Sequence, residues 1–299
     1  MPDTPQCLFV TGGRGRLASL IADHFRAPAH DVQLFSRTTG PGFHALDELT
    51  SGSSLNAGTV LHLAWSTLPA TSEQEPGAEA RHDLPLLENM LTALARSPAR
   101  AQLHFVFFSS GGAVYGNAPG RPNVESDPCH PCGCYGRAKC AAERLIETHA
   151  ARSGLACTIL RITNPYGYPV PKSRAQGLVP HALRCAVEGQ PLALWGDGSA
   201  RKDFLYYTDF LSALELVIAR RLTGLFNLSA GQSHRVSEVI SLVIEHTGRP
   251  IELASQPAPA WDVHDSLLDN SRFVAATGWH PQVSLAEGIR RAAAGYATH

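Results

Sequence analysis

The sequence predicts an α/β fold: a doubly wound parallel sheet covered by helices on both faces, with a smaller C-terminal α/β domain. Three observations carry that expectation. Strand-period and helix-period segments alternate through the first half of the chain. The first apolar strand runs into a glycine-rich turn, Thr11-Gly-Gly-Arg-Gly-Arg-Leu-Ala18, that opens a helix. After Asn164 the texture changes, as Pro165, Pro169, Pro171 and Pro180 cut the chain into shorter pieces.

Cys7–Thr11 reads as a short buried strand. Leu17, Leu20, Ile21 and Phe25 recur at helical spacing and place a helix over residues 16–26. Val32–Ser36 and Thr59–Ala64 follow as strands. Leu84, Leu87, Leu91 and Leu94 form one stripe of a helix over Asp83–Arg96. Leu103–Ser109 is a strongly apolar strand, Tyr135–Ser153 a long helix and Ala156–Ile162 the next strand. Beyond these, helices are expected at Leu178–Glu188, at 208–221 with Thr208 as N-cap, and at Ser237–Thr247. Asn270–Thr277 should stop at Gly278, with Pro281 beyond. Ser284–Ala294 carries the capping-box pair Ser284 and Glu287. The expected division is 1–163, with a segment near 203–228 returning to it, and 164–299.

Composition excludes several classes. The hydrophobic fraction of 44% and charged fraction of 17% are those of an ordinary globular protein. A formal net charge of −1 gives no bias toward nucleic acid or anionic lipid. The N-terminus lacks the basic and apolar regions of a signal peptide, and no apolar stretch reaches spanning length, so a cytoplasmic protein with no membrane partner is expected. Seven cysteines in such a chain read as reduced thiols. Cys129-His-Pro-Cys132-Gly-Cys134 lacks a second distant ligand pair, so a thiol-bearing loop is favoured over a zinc site and no metal is expected.

The glycine turn points to a dinucleotide. Gly12 permits the tight strand-to-helix turn, and Gly15 lets backbone amides approach a pyrophosphate at the helix N-terminus. Arg14, Arg16 and Leu17 lie in the same turn and are candidate cofactor contacts. At the end of the second strand, where an acidic residue would bind a ribose 2′-hydroxyl, the chain has Ser36-Arg37. A hydroxyl and a guanidinium suit a 2′-phosphate, which favours NADP over NAD. Tyr135 and Lys139 stand one helical turn apart on one face. A cation there favours the phenolate, so Tyr135 is a candidate general base or acid for hydride chemistry at a carbinol carbon.

Six ordered motifs then define a resemblance: His62-Leu-Ala-Trp65; Ser109-Ser-Gly-Gly-Ala-Val-Tyr115-Gly116; Tyr135-x-x-x-Lys139; Leu160-Arg-Ile-Thr-Asn164-Pro-Tyr-Gly167; Gly196-Asp-Gly-Ser-Ala-Arg-Lys-Asp203-Phe; and Asp269-Asn-Ser with Gly278-Trp-His-Pro281. Over nearly its whole length the chain resembles the extended short-chain dehydrogenase/reductase family, in its nucleotide-sugar epimerase/dehydratase branch. The resemblance implies a Rossmann domain holding NAD or NADP and a C-terminal domain over a nucleoside-diphosphate sugar. It adds Leu63, Ala64, Trp65 and Ser109 to the cofactor contacts. It implies a substrate set of Gly111, Asn164, Gln176, Gly177, Leu178, Val179, Leu194 and Lys202. It implies a homodimer through the two long helices.

Departures from the family pattern are informative. Gly111 stands where a Ser or Thr would hydrogen-bond the reacting oxygen, leaving Ser110 as the nearest hydroxyl and a third catalytic candidate. Lys202 replaces a diphosphate-binding Arg, and Pro259 a second one. A common Asn on the helix over 83–96 aligns with Leu87. No Asp-Glu pair follows the serines, which argues against dehydration. Three readings remain: a C4 epimerase that regenerates its bound cofactor, an NADPH-dependent 4-keto-sugar reductase, and a non-catalytic nucleotide-binding regulator on the same scaffold.

Overall fold

The computed structural model describes residues 6–26, 29–51, 55, 57–118, 120–168 and 177–297. In chain order the elements begin with β1 (Gln6–Thr11), α1 (Arg16–Phe25), β2 (His30–Ser36), β3 (His44–Ala45), α2 (Glu48–Ser51) and β4 (Gly58–His62). Next come α3 (Pro69–Gln74), α4 (Ala78–Arg96), β5 (Leu103–Ser110), α5 (Gly111–Val114), α6 (Cys134–Ser153) and β6 (Ala156–Ile162). The remainder is β7 (Asn164–Tyr166), α7 (Leu178–Glu188), β8 (Leu192–Trp195), β9 (Arg201–Tyr206), α8 (Tyr207–Ala219), β10 (Gly224–Leu228) and β11 (Ser233–Arg235). It ends with α9 (Val236–Thr247), β12 (Leu253–Gln256), α10 (Ser271–Thr277) and α11 (Leu285–Ala297).

The large sheet has the strand order β10-β6-β5-β4-β1-β2-β3. β1 pairs in parallel with β2 on one side and β4 on the other, and β4 pairs in parallel with β5. The order reverses direction at β1, between β2 and β4, the switch point where open α/β sheets bind ligands beyond their strand ends. Val60, Leu61, Phe105, Val106 and Phe107 are fully buried, as strands covered on both faces require.

The chain divides into two compact units, 1–110 with 133–161 and 215–226, and 111–132 with 162–214 and 227–299. This moves the expected division: residues 111–132 join the second unit, and the segment returning to the first is 215–226 rather than 203–228. The first unit packs Leu87, Met90, Leu91 and Leu94 of α4 with Ala142 and Ile146 of α6 against the sheet. The second packs Val179, Leu183 and Ala186 of α7 with Val239 and Val243 of α9 and Ile289 of α11. Among the described residues no helix is long and apolar enough to cross a membrane.

Several local expectations change. α4 begins at Ala78 rather than Asp83, five residues of mixed polarity that a leucine stripe does not reveal. Thr208 lies inside α8, which starts at Tyr207, so it is not the N-cap. Ser284 Oγ accepts from Glu287 N at 3.3 Å, but the Glu287 carboxylate is held by Arg290 and Arg291, leaving half a capping box. Gly278 does end α10, at φ 72° with its N–H on Val274 O. The small pairings β11-β9-β7 and β12-β8 are built from strands too short for a periodicity signal.

Candidate active site

The glycine turn is shaped by close backbone approach. Gly12 has φ 70°, and a Cβ there would stand 2.9 Å from Ala64 N. At Gly13 a Cβ would meet Leu34 Cβ at 3.0 Å. Thr11, the last residue of β1, orders the neighbouring loop. Its Oγ1 accepts from Leu63 N at 3.1 Å and Ala64 N at 3.0 Å, and lies 3.0 Å from His62 Nδ1. With two donors already on Thr11, its own hydrogen goes to Nδ1, which puts the imidazole proton on Nε2. Burial, and then the Lys139 charge, push His62 down to about 3, so it is neutral.

α1 starts at the N-cap Gly15 with no side-chain cap and no acidic residue in its first turn. Its N-terminal amides are open to an anion. The arginines of the turn behave differently from expectation. Arg14 donates to Thr38 O at 3.2 Å and stacks over Phe43 at 4.4 Å, which commits its guanidinium to the 38–43 loop. Arg16 Nη1 is buried without a partner among the described residues.

Tyr135 and Lys139 occupy the first turns of α6. Lys139 is 4% exposed, donates to Phe108 O at 3.0 Å, and sits 3.7 Å from the Trp65 ring centre and 4.6 Å from that of Phe107. Its Nζ is 5.6 Å from the centre of the Tyr135 ring. Burial pulls Lys139 down to about 7, against the opposing pull of Asp83, Glu143 and Glu79. The Tyr135 phenol is raised above its ordinary value by burial and then by Glu79 and Asp83. The net direction in this structure is thus upward, opposite to the lowering expected from Lys139, with burial the largest cause.

Those carboxylates escaped the sequence reading. Glu79 and Asp83 are 2% and 0% exposed, one turn apart on α4. Asp83 accepts from Ser66 N at 3.0 Å, from the Ser66 hydroxyl, and from Arg37 Nη2 at 3.3 Å. Glu79 accepts from the Thr67 hydroxyl. Asp83, not Leu87, is the polar residue that α4 turns toward the loop after β4; Leu87 is wholly in the core.

Ser109 is likewise reassigned. Its Oγ donates to Glu143 Oε1 at 2.5 Å, and Glu143 also receives Arg161 Nη2 at 2.6 Å, so its hydroxyl belongs to a buried ion-pair network. Ser110 ends β5, and Gly111 opens the one-turn α5. Ser36 Oγ accepts from Thr38 N at 3.3 Å. Beyond β2 a cavity of about 560 Å³ is lined by Arg37, Thr39, Asp47, Arg81, His82 and Asn89 among others.

In the second unit, Asn164 Nδ2 donates to Asp203 O at 2.7 Å. Lys202 Nζ contacts Asp262 Oδ1 at 2.9 Å and Val263 O, so its charge is already paired. Gly177 is the N-cap of α7 at φ 88°, and Leu178 is the helix's first residue. Val179 and Leu194 point their side chains into the core, at 1% and 8% exposure, so neither lines a ligand with its side chain. Trp195, 37% exposed, is the outward residue of β8 and meets Trp261 edge-on at 5.1 Å. Gln176 lies outside the described residues. The seven cysteines form no disulfide among the described residues.

A nicotinamide dinucleotide fits the first unit. The uncapped helix start would receive a pyrophosphate and the cavity beyond β2 an adenosine, and Trp65 Nε1 is a buried donor with no partner among the described residues. The fold and this site define a nicotinamide-dependent α/β enzyme. The chain belongs to the NAD dependent epimerase/dehydratase family, whose model matches residues 8–229. It is 26% identical to a UDP-glucose 4-epimerase of Mycolicibacterium smegmatis, over 94% of this chain and 96% of that one. It is 26% identical to a dTDP-4-dehydro-6-deoxyglucose reductase of Escherichia coli, over 78% and 73%. The crystal structure of UDP-glucose 4-epimerase from Thermotoga maritima with UDP-glucose superposes with a TM-score of 0.87. Its sequence identity is 27%, with 98% and 99% of the two chains covered.

Proposed function

We propose that this chain is a nucleotide-sugar C4 epimerase that oxidises the sugar transiently to a 4-keto form and reduces it again on the other face. The observation that carries the reading is Tyr135 one turn from Lys139 on α6, with Lys139 packed on Trp65 of the loop that Thr11 orders beside the glycine turn. The nicotinamide cofactor, when bound, takes up hydride and gives it back. Tyr135 takes the proton of the C4 hydroxyl and later returns it to the carbonyl oxygen. Lys139 supplies the positive charge that makes a phenolate tolerable when oxidation requires one. Ser110 is the hydroxyl proposed to steady the C4 oxygen in place of the Gly111 position. In the second unit, Asn164 and Lys202 hold the diphosphate once Lys202 releases Asp262, and Trp195 offers a face to the nucleobase.

Arg37 and Arg81, which line one cavity with His82, support NADP as the dinucleotide, because a 2′-phosphate would draw their guanidinium groups from Asp83 and Glu75. That favours a second reading, an NADPH-dependent 4-keto-sugar reductase. A cytoplasmic homodimer through α4 and α6 completes the proposal. Incubation of the purified chain with UDP-glucose and UDP-N-acetylglucosamine, without added cofactor, tests it, alongside mass spectrometry of any copurifying dinucleotide. Formation of the galacto epimers is the expected result. Turnover only of a keto sugar, with stoichiometric consumption of NADPH, would replace the epimerase by the reductase.

A further inference from the structure

Lys139 and Tyr135 do not face a neutral wall. Behind them α4 carries Glu79 and Asp83, both almost fully buried and anchored on consecutive residues of the loop that follows β4. The Thr67 hydroxyl holds Glu79; the Ser66 amide and hydroxyl hold Asp83. The residue just before them, Trp65, is the one whose ring lies 3.7 Å from Lys139 Nζ. One loop therefore anchors both carboxylates and supplies the cation's aromatic seat.

We infer that Glu79 and Asp83 are positioning residues that favour the cation of Lys139 and the phenol of Tyr135, so that the resting site is set to hand a proton to a carbonyl. The inference rests on the reading of Tyr135 as the proton-transfer group.

Other charged groups also face this pair. On α6, Glu143 also favours the Lys139 cation, while its carboxylate is shared with Arg161 at 2.6 Å and Ser109 at 2.5 Å. From α3, Glu73 accepts from the Cys134 amide, one residue before Tyr135. From β4, His62 is buried and neutral. From the end of β2, Arg37 reaches Asp83 at 3.3 Å but is itself 57% exposed, so solvent screens its offset. Burial of Lys139 alone favours the free amine. Asp83 and Glu79, together with Glu143, oppose that, and Glu79 and Asp83 also disfavour a phenolate. Glu79 is kept available as an anion: burial opposes ionisation, but hydrogen bonds, including that from Thr67, leave its carboxyl below the ordinary value. The consequence is directional. Proton donation to a ketone starts from the resting form, whereas carbinol oxidation first requires the phenol to be deprotonated against this field.

The chain has three lysines, Lys139, Lys172 and Lys202, so lysine labelled with carbon-13 at Cε gives three assignable signals. Glu79→Gln and Asp83→Asn are each expected to lower the titration midpoint of the Lys139 signal by about one pH unit. The Tyr135 phenol, read as the tyrosinate absorbance absent from Tyr135→Phe, should ionise at lower pH in the same variants. The alkaline fall of keto-sugar reduction should move down with it. Glu79→Met and Asp83→Ser remove the charges with different shapes and stand in should an amide variant fail to fold. A Lys139 midpoint that stays put, or rises, in the folded variants overturns the inference. A wild-type chain inert toward every nucleotide sugar, yet with a Lys139 midpoint that falls in the variants, would remove the epimerase reading and leave this one standing.

Discussion

Tyr135→Phe is expected to lower kcat on a nucleotide sugar by about 10²- to 10⁴-fold, the range a positioned acid–base group contributes. The substitution removes one oxygen and keeps the ring, 5.6 Å from Lys139 Nζ and one turn before it on α6. Packing is preserved, so the melting temperature and the copurified dinucleotide should not change. Product analysis over long incubations, with a thermal melt of the same sample, checks both halves. Unchanged turnover in a folded variant would show that the proton travels by another route. The fold should survive the loss of activity, since among the described residues the Tyr135 hydroxyl is held by none of the hydrogen bonds that build the core.

Glu143→Ala is expected to destabilise the protein by about 3–5 kcal/mol. Glu143 and Arg161 are each 5% exposed in their side chains and meet at 2.6 Å, with Arg161 Nε also 3.1 Å from Glu143 Oε1. Ser109 Oγ adds a third donor at 2.5 Å. The network links β5, α6 and β6, the elements that support the Lys139 seat. Deleting the carboxylate leaves a guanidinium buried without its counter-ion, and that uncompensated charge is what makes the loss large. Paired replacement of both residues by Met should restore much of the stability, because it removes both buried charges and keeps the volume. Urea unfolding of the three proteins measures it. A Glu143→Ala variant as stable as the parent would mean that water reaches Arg161.

How much of this was legible in the sequence depends on which force fixes each feature. The glycine turn and the Tyr135–Lys139 pair are local: one needs φ 70° at Gly12, the other a single helical turn, and both follow from spacing. Leu178–Glu188 and Ala156–Ile162 match because strong apolar periods are bounded by Gly177, Gly189 and Gly154. The acidic residues of α4 were hidden for an electrostatic reason. Buried carboxylates are rare enough that nothing singles out Glu79 and Asp83 as interior residues. A signal was present nonetheless: 79, 83, 87, 91 continues the Leu87–Leu91 stripe backward at four-residue steps, so the same face that buries leucine must bury the acids. Arg81 and His82 join Arg37 at one cavity only through tertiary packing, which no local pattern reports. The ligand roles given to Ser109, Val179 and Leu194 came from motif position, and motif position does not say which way a strand or helix turns a side chain.

The most direct test of hydride chemistry at C4 under Tyr135 uses UDP-glucose carrying deuterium at C4, incubated with the wild-type chain in ordinary water. Deuterium retained at C4 of the UDP-galactose formed, with transient absorbance near 340 nm, is the expected result. Replacement of that deuterium by solvent hydrogen would contradict it, since the atom would then have left as a proton rather than as a hydride.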